Sequence, residues 1–211
     1  PQMQKMWSVD VMEHNDVEYD QIAQVDYDTF ILPHCPNFFE MTNDNFSAVL
    51  DNGFGPSLNM TMKVFEDNWF SHMKGKVTWD TYFNSGFIVF NKKHKEVFEK
   101  VKNFYFDEGD KWIDVHSKYN MGNRNEVLRH LNDQTILNFL IKESNLEITY
   151  LPRSFNVLDW HCKNFFANFT DEFGREINSI KSIKDCVNIF HITGDVEFRN
   201  QASGFLLNNF N

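Results

Sequence analysis

Tyr19-Asp20-Gln21-Ile22-Ala23-Gln24-Val25-Asp26-Tyr27-Asp28-Thr29-Phe30-Ile31-Leu32 is the stretch on which the fold turns. Ile22, Ala23 and Val25, and then Thr29 to Leu32, read as one buried β-strand with a single interruption at Asp26-Tyr27-Asp28. Burying two carboxylates is costly unless a cation lies between them. Hard oxygen donors suit Mg²⁺ or Mn²⁺, ions that keep positions open for phosphate oxygens. A strand ending in Asp-x-Asp at the carboxyl edge of a sheet is a place to hold a metal–diphosphate. The bland alternative is a solvated turn after a strand.

Around this stretch the 211 residues alternate strands and helices. A short helix over Lys5–Glu13 precedes it, with Met6, Val9 and Met12 at helical spacing. Pro33-His34-Cys35-Pro36 stops the strand, and Asn37–Met41 has the length of one helical turn. Phe46–Leu50 is a short strand closed by the loop Asp51-Asn52-Gly53-Phe54-Gly55-Pro56. Ser57 caps a helix reaching toward His72, ended by Gly75. Thr81–Phe90 is the next strand, and its continuous apolar second half implies cover on both faces. Lys92–Asp107 is an amphipathic helix. Gly109–Asn125 has no period and reads as a long surface loop. Asn132 caps a helix over Asp133–Glu143. Leu146–Leu151 and Val187–Ile192 are strands. The pattern predicts an α/β fold with a central mixed β-sheet flanked by helices, forming a single domain over 1–211.

Composition narrows the function classes. The chain is 42% apolar and 16% aromatic, with 23 phenylalanines, enough for a sizeable core. A formal charge of −10 argues against nucleic acid as a partner but not against a nucleotide bound through a metal. Cys35, Cys162 and Cys186 are widely spaced, odd in number and without a Cys-x-x-Cys pair, so reduced thiols in a cytosol-like compartment are expected. The sequence contains no run of transmembrane length.

Five segments follow one another in a telling order: Asp26-Tyr27-Asp28; Tyr82-Phe83-Asn84-Ser85-Gly86 with an apolar run to Asn91; Asp133-Gln134 with Leu137-Asn138; Leu151-Pro152 with Phe155-Asn156; and His191 with Gly194. The order resembles glycosyltransferases of the GT-A fold, above all the glycogenin and bacterial lipopolysaccharide galactosyltransferase group, glycosyltransferase family 8. The Phe- and Asn-rich composition also resembles sugar transferase domains of large algal viruses, which would set the protein in host cytoplasm.

The resemblance implies a metal-dependent hexosyltransferase using a UDP-sugar of the UDP-glucose or UDP-galactose type, with a glycan or glycoprotein acceptor. Asp26, Asp28 and His191 would hold Mn²⁺ or Mg²⁺, the imidazole favouring Mn²⁺. Tyr27 would touch the nucleoside. Asn84, Ser85, Gly86 and Asp133 would line the donor sugar, and Gln134 would lie beside its anomeric carbon, as suits a retaining transfer. Asp80 is the candidate general base should the reaction invert. Two departures accompany these implications. Only 25 residues precede Asp26, where the family carries a longer nucleotide-binding segment, so the expected chain is a truncated domain or a fragment. The lysine that relatives carry after His-x-x-Gly is replaced by Asp195, leaving Lys5 or Arg153 as substitutes. The competing readings are a metal-dependent phosphohydrolase or nucleotidyltransferase, and a non-catalytic carbohydrate-binding module using Trp112 and Trp160.

Overall fold

A computed structural model describes residues 2–51, 56–111, 114–115, 133–158 and 186–192, together with 200 and 204. Strands β1 (Ile22–Val25), β3 (Phe46–Leu50), β4 (Phe83–Phe90) and β5 (Ile148–Tyr150) form a four-stranded sheet in the order β1-β4-β3-β5. It is mixed: β4 runs antiparallel to β1 and β3, and β5 is parallel to β3. Strands β2 (Thr29–Ile31), β6 (Val157–Leu158) and β7 (Ile189–His191) form a second sheet in the order β2-β7-β6. The central mixed sheet therefore stands as expected, while the second sheet was not anticipated.

The first stretch makes two strands rather than one interrupted strand, and they enter different sheets. The Thr29 amide donates to the Asp26 carbonyl at 3.1 Å, closing a turn across Asp26-Tyr27-Asp28. The turn is tied on both sides. The Asp26 amide donates to the Gly86 carbonyl at 2.8 Å, and the Ile192 amide donates to the Asp28 carbonyl at 2.8 Å.

Helices α1 (Ser8–His14), α2 (Pro56–Asn68), α3 (Lys95–Asp107) and α4 (Asp133–Glu143) complete the described architecture. A 3-10 turn at Gln2–Trp7 leads into α1. Helical residues Val9, Met62, Phe65, Val97, Phe98, Ile136 and Phe139 pack with Phe46, Ala48, Ile88 and Phe90 of the sheet. On the other face Phe87 and Val89 meet Leu151, Phe155 and Ile189. β4 thus carries apolar residues in unbroken series because helices cover one face and the small sheet covers the other.

Two anchors set the helices that reach the site. The Asn138 amide clamps the backbone of β4, donating to the Phe83 carbonyl and accepting from the Phe83 amide, both at 2.9 Å. This fixes the middle of α4 against the first residue of β4, an inner strand of the sheet. Lys102 of α3, nearly buried, pairs with Asp10 of α1 at 2.5 Å and lies over the Trp7 ring, which holds the N-terminal segment in place. Ser57 lies inside α2, which begins at Pro56, rather than capping it, and the described part of Gly109–Asn125 (109–111 and 114–115) is helical rather than loop. Asn132, Cys162, Trp112, Trp160, Gly194 and Asp195 lie outside the described residues.

Candidate metal and donor site

The site grows out of an irregularity in β4. Ala48 of β3 pairs with Ile88, but the next residue, Val49, pairs with Asn84, so Ser85, Gly86 and Phe87 have no counterpart on β3. Such a bulge bends a strand and re-aims its side chains. Ser85 turns toward α4 and Lys5, while Asn84 and Gly86 turn toward the small sheet.

At the small sheet, Asp26, Asp28 and His191 bring three donor atoms within 4.8 Å of one another. His191 Nε2 is 3.2 Å from Asp28 Oδ1 and 3.8 Å from Asp26 Oδ2. An ion bonded at about 2.1 Å separates neighbouring ligand atoms by roughly 3.0–3.4 Å, so these three residues fit a first-row divalent ion with little movement. Two carboxylates and one imidazole form a donor set that suits Mn²⁺. His191 is buried, and its Nδ1 lies 3.1 Å from Asn156 Oδ1. With Nδ1–H donating to that amide, Nε2 presents its lone pair to the carboxylates. The Asn156 amide in turn donates to Asn84 Oδ1 at 2.9 Å, which also accepts from the Gly86 amide at 2.8 Å. A Cβ at Gly86 would lie 2.4 Å from His191 Cε1 and 2.8 Å from Asn84 Oδ1, so only glycine fits beneath the imidazole.

Asp26 joins this triad to a second cluster. Its Oδ1 is 3.2 Å from Lys5 Nζ, which also reaches Asp133 Oδ2 at 2.7 Å and Ser85 Oγ at 3.0 Å. Ser85 Oγ donates to Asp133 Oδ2 at 2.9 Å. Asp133 is 2% exposed and begins α4; burial pushes its carboxyl above the usual range, against the opposing pull of Lys5 and Ser85. Burial would lower the Lys5 ammonium, but the charges and hydrogen bonds of Asp133 and Asp26 outweigh it and hold Lys5 above its ordinary value, firmly protonated. Gln134 faces the same bulge. It accepts from the Ser85 amide at 3.1 Å and donates to Asp51 Oδ2 at 2.7 Å.

Three comparisons bear on this architecture. No protein-family model matches the sequence, and no curated protein matches it significantly. Six solved chains match by fold. The bifunctional glycosyltransferase WbbM aligns over all of this chain and 35% of its own, with a TM-score of 0.48 and 17% identity. The galactosyltransferase LgtC, solved with donor and acceptor sugar analogs, aligns over 92% of this chain and 66% of its own, with a TM-score of 0.41 and 16% identity. Mouse xyloside xylosyltransferase 1 aligns over 92% of this chain and 64% of its own, with a TM-score of 0.42 and 14% identity. This chain therefore spans only 35% to 66% of the length of these three proteins. The likeness is one of overall architecture.

Most residues singled out in the sequence converge. Asp26, Asp28 and His191 meet directly, and Asn84, Ser85, Gly86, Asp133 and Gln134 surround them through the contacts above. Tyr27 sits at the turn tip, 89% exposed. Asp80 lies apart, exposed in the turn before β4 and near Tyr150, with no hydrogen bond or ion pair to the cluster among the described residues. Of the two substitute cations, Lys5 enters the site, whereas Arg153 is exposed in the 3-10 turn Arg153–Phe155. Sequence reasoning gave no role to Asn156, Asn138 or Asp51. Asn156 and Asn138 stood inside quoted motifs, so their place was visible while their partners were not.

Proposed function

We propose that this chain is the catalytic part of a metal-dependent glycosyltransferase that moves a hexose from a UDP-sugar to a glycan or glycoprotein acceptor, with retention. The observation that carries the reading is the Asp26–Asp28–His191 triad, with donor atoms within 4.8 Å, joined through Asp26 and Lys5 to the polar wall of Asp133, Ser85 and Gln134. Asp26, Asp28 and His191 would hold Mn²⁺ or Mg²⁺. When bound, such an ion supplies positive charge to the two phosphates of the leaving diphosphate.

The chain's own residues do the rest. Asn156 holds the His191 ring so that Nε2 faces the carboxylates. Lys5 adds a fixed ammonium next to Asp26, where diphosphate charge collects. A sugar attached to that diphosphate would lie beside the bulge of β4. Asn84 would line that sugar from the small-sheet side, and Asp133 fixes both Lys5 and Ser85 at its edge. Asp51 and the Ser85 amide hold the Gln134 side chain, which would stand beside the anomeric carbon of that sugar. Tyr27, exposed at the turn, is available to the nucleoside. A paired-aspartate phosphohydrolase would not need the Ser85–Asp133–Gln134 wall.

The test is UDP release and sugar transfer from a panel of UDP-hexoses, with Mn²⁺ and with EDTA. Mn²⁺-dependent release of UDP together with a glycosylated product, lost in Asp28→Asn, is expected. Release of inorganic phosphate from nucleotides with no transfer from any UDP-hexose would replace this reading by the phosphohydrolase.

A further inference from the structure

We propose that the exposed face made by Trp79, Asp80 and Tyr150 is a binding site for a neutral oligosaccharide, the acceptor side of the transfer proposed above. The proposal rests on that reading for the word acceptor, but the surface itself carries the claim that it binds sugar. Trp79 and Tyr150 are 57% and 38% exposed, and neither belongs to the apolar core.

The turn that presents them is rigid. The Thr78 amide donates to Thr81 Oγ1 at 3.0 Å, and Thr81 Oγ1 donates to the Thr78 carbonyl at 3.1 Å. The Thr81 and Tyr82 amides both donate to the Thr78 carbonyl at 2.9 Å. The Tyr150 hydroxyl donates to the Thr81 carbonyl at 2.9 Å, so its ring is held against the same turn. Burial, with the Asp80 charge nearby, raises the Tyr150 hydroxyl above its ordinary range, so it stays a neutral donor in that bond. A fixed turn carrying an outward tryptophan beside a fixed tyrosine offers contact area at little cost in side-chain freedom.

The chemistry of the face selects the ligand. The negative π-face of an aromatic ring suits the C–H face of a sugar. A carboxylate on the same turn as Trp79, close enough to Tyr150 for its charge to act there, accepts bonds from sugar hydroxyls. With Asp80 on the face and a formal charge of −10 on the whole chain, a neutral glycan is favoured over an anionic one.

Position supplies the second argument. Thr81 is three residues from Asn84, within about 10 Å along the chain. The Tyr82 carbonyl accepts from the Asp51 amide at 2.9 Å, and the Asp51 carboxylate holds Gln134. The turn that carries the face is thus tied through Tyr82 and Asp51 to Gln134, which places the face along the chain from the donor site without touching it.

The test uses the full chain labelled with 5-fluorotryptophan, the Trp79 signal being assigned with Trp79→Phe. Maltopentaose, cellopentaose and xylopentaose are the neutral probes, and trigalacturonate is the anionic control. A saturable shift of the Trp79 signal is expected below about 10 mM for at least one neutral probe, weakened about tenfold in Tyr150→Ala and in Asp80→Ala. Silence of the Trp79 signal toward all three neutral probes, or a response to trigalacturonate alone, overturns the proposal. UDP with Mn²⁺ is titrated in the same samples. UDP binding with a silent Trp79 overturns the glycan face and leaves the donor site standing. A responsive Trp79 without UDP binding supports the glycan face and overturns the donor reading.

Discussion

Gly86 and Lys5 each hold the site together in a way that a single substitution exposes. Adding one methyl at Gly86 places a carbon 2.4 Å from His191 Cε1, an overlap that can be relieved only by moving the imidazole or the bulge. Gly86→Ala is expected to cost about 1–3 kcal/mol of stability. By displacing a ligand held by Asn156, it should also weaken Mn²⁺ binding by about 10–100-fold. Titration with Mn²⁺ followed by electron paramagnetic resonance checks this, and unchanged affinity would mean that His191 is not a ligand. Lys5 answers two carboxylates, one of them 2% exposed. Removing it leaves Asp133 buried and unpaired, so Lys5→Met should lower the unfolding free energy by about 3–5 kcal/mol. The double variant Lys5→Met/Asp133→Leu should recover most of that loss, because the cost lies in the orphaned charge. Urea denaturation of the parent, both single variants and the double variant measures both effects, and additive losses would contradict the pairing.

At the level of elements, the turn leading into α3 carries a built-in dependence on pH. The Asn91 amide donates to His94 Nδ1 at 3.1 Å, and Asn91 Oδ1 accepts from the Lys93 amide at 3.2 Å, a capping box in which the imidazole is the acceptor. His94 is buried with its ring edge-on to Phe46, and burial, helped by the Lys93 charge, pushes it down to about 4. Between the unfolded value near 6.5 and the folded value, the unfolded chain takes up a proton that the folded chain refuses. Stability is therefore full above pH 6.5 and falls as the pH drops toward 4, by up to about 3 kcal/mol from this residue. His94→Asn keeps an acceptor and removes the titration, so its stability should decline less over that range. Parallel declines in both proteins would show that His94 does not titrate in this way. The elements themselves were legible wherever a period or a breaker was local: Phe46–Leu50 formed as read, and the helix after Asp133 ran to Glu143. The bulge was not legible, because register depends on the partner strand. Gly86 marked the place without revealing its shape.

For the whole molecule, the site is a seam between two sheets. Asp26 hydrogen-bonds to β4 of the large sheet, His191 belongs to β7 of the small one, and the Asp26–Asp28 turn crosses between them. This explains what the sequence could and could not tell. Val25 and Thr29 are both β-branched and continue one alternation, so the stretch reads as a single strand; only the packing of Phe87 and Val89 against Ile189 separates the two sheets. The three candidate ligands were legible because each is polar beside an apolar run. Asp51 was not, since it sits in a loop; Lys5 stood only as one of two candidate cations, because the anchoring of α1 on α3 that delivers it does not show in the sequence. A metal at this seam should bind UDP and brace the fold together, adding about 2.7 kcal/mol at a ligand concentration one hundred times Kd. The most direct test is calorimetric titration of UDP into the full chain with Mn²⁺ and then with EDTA, repeated on Asp28→Asn. Saturable binding of UDP in the parent with Mn²⁺, absent with EDTA and absent in Asp28→Asn, is the predicted result; equal binding of UDP with EDTA, or in Asp28→Asn, would contradict the metal–diphosphate site.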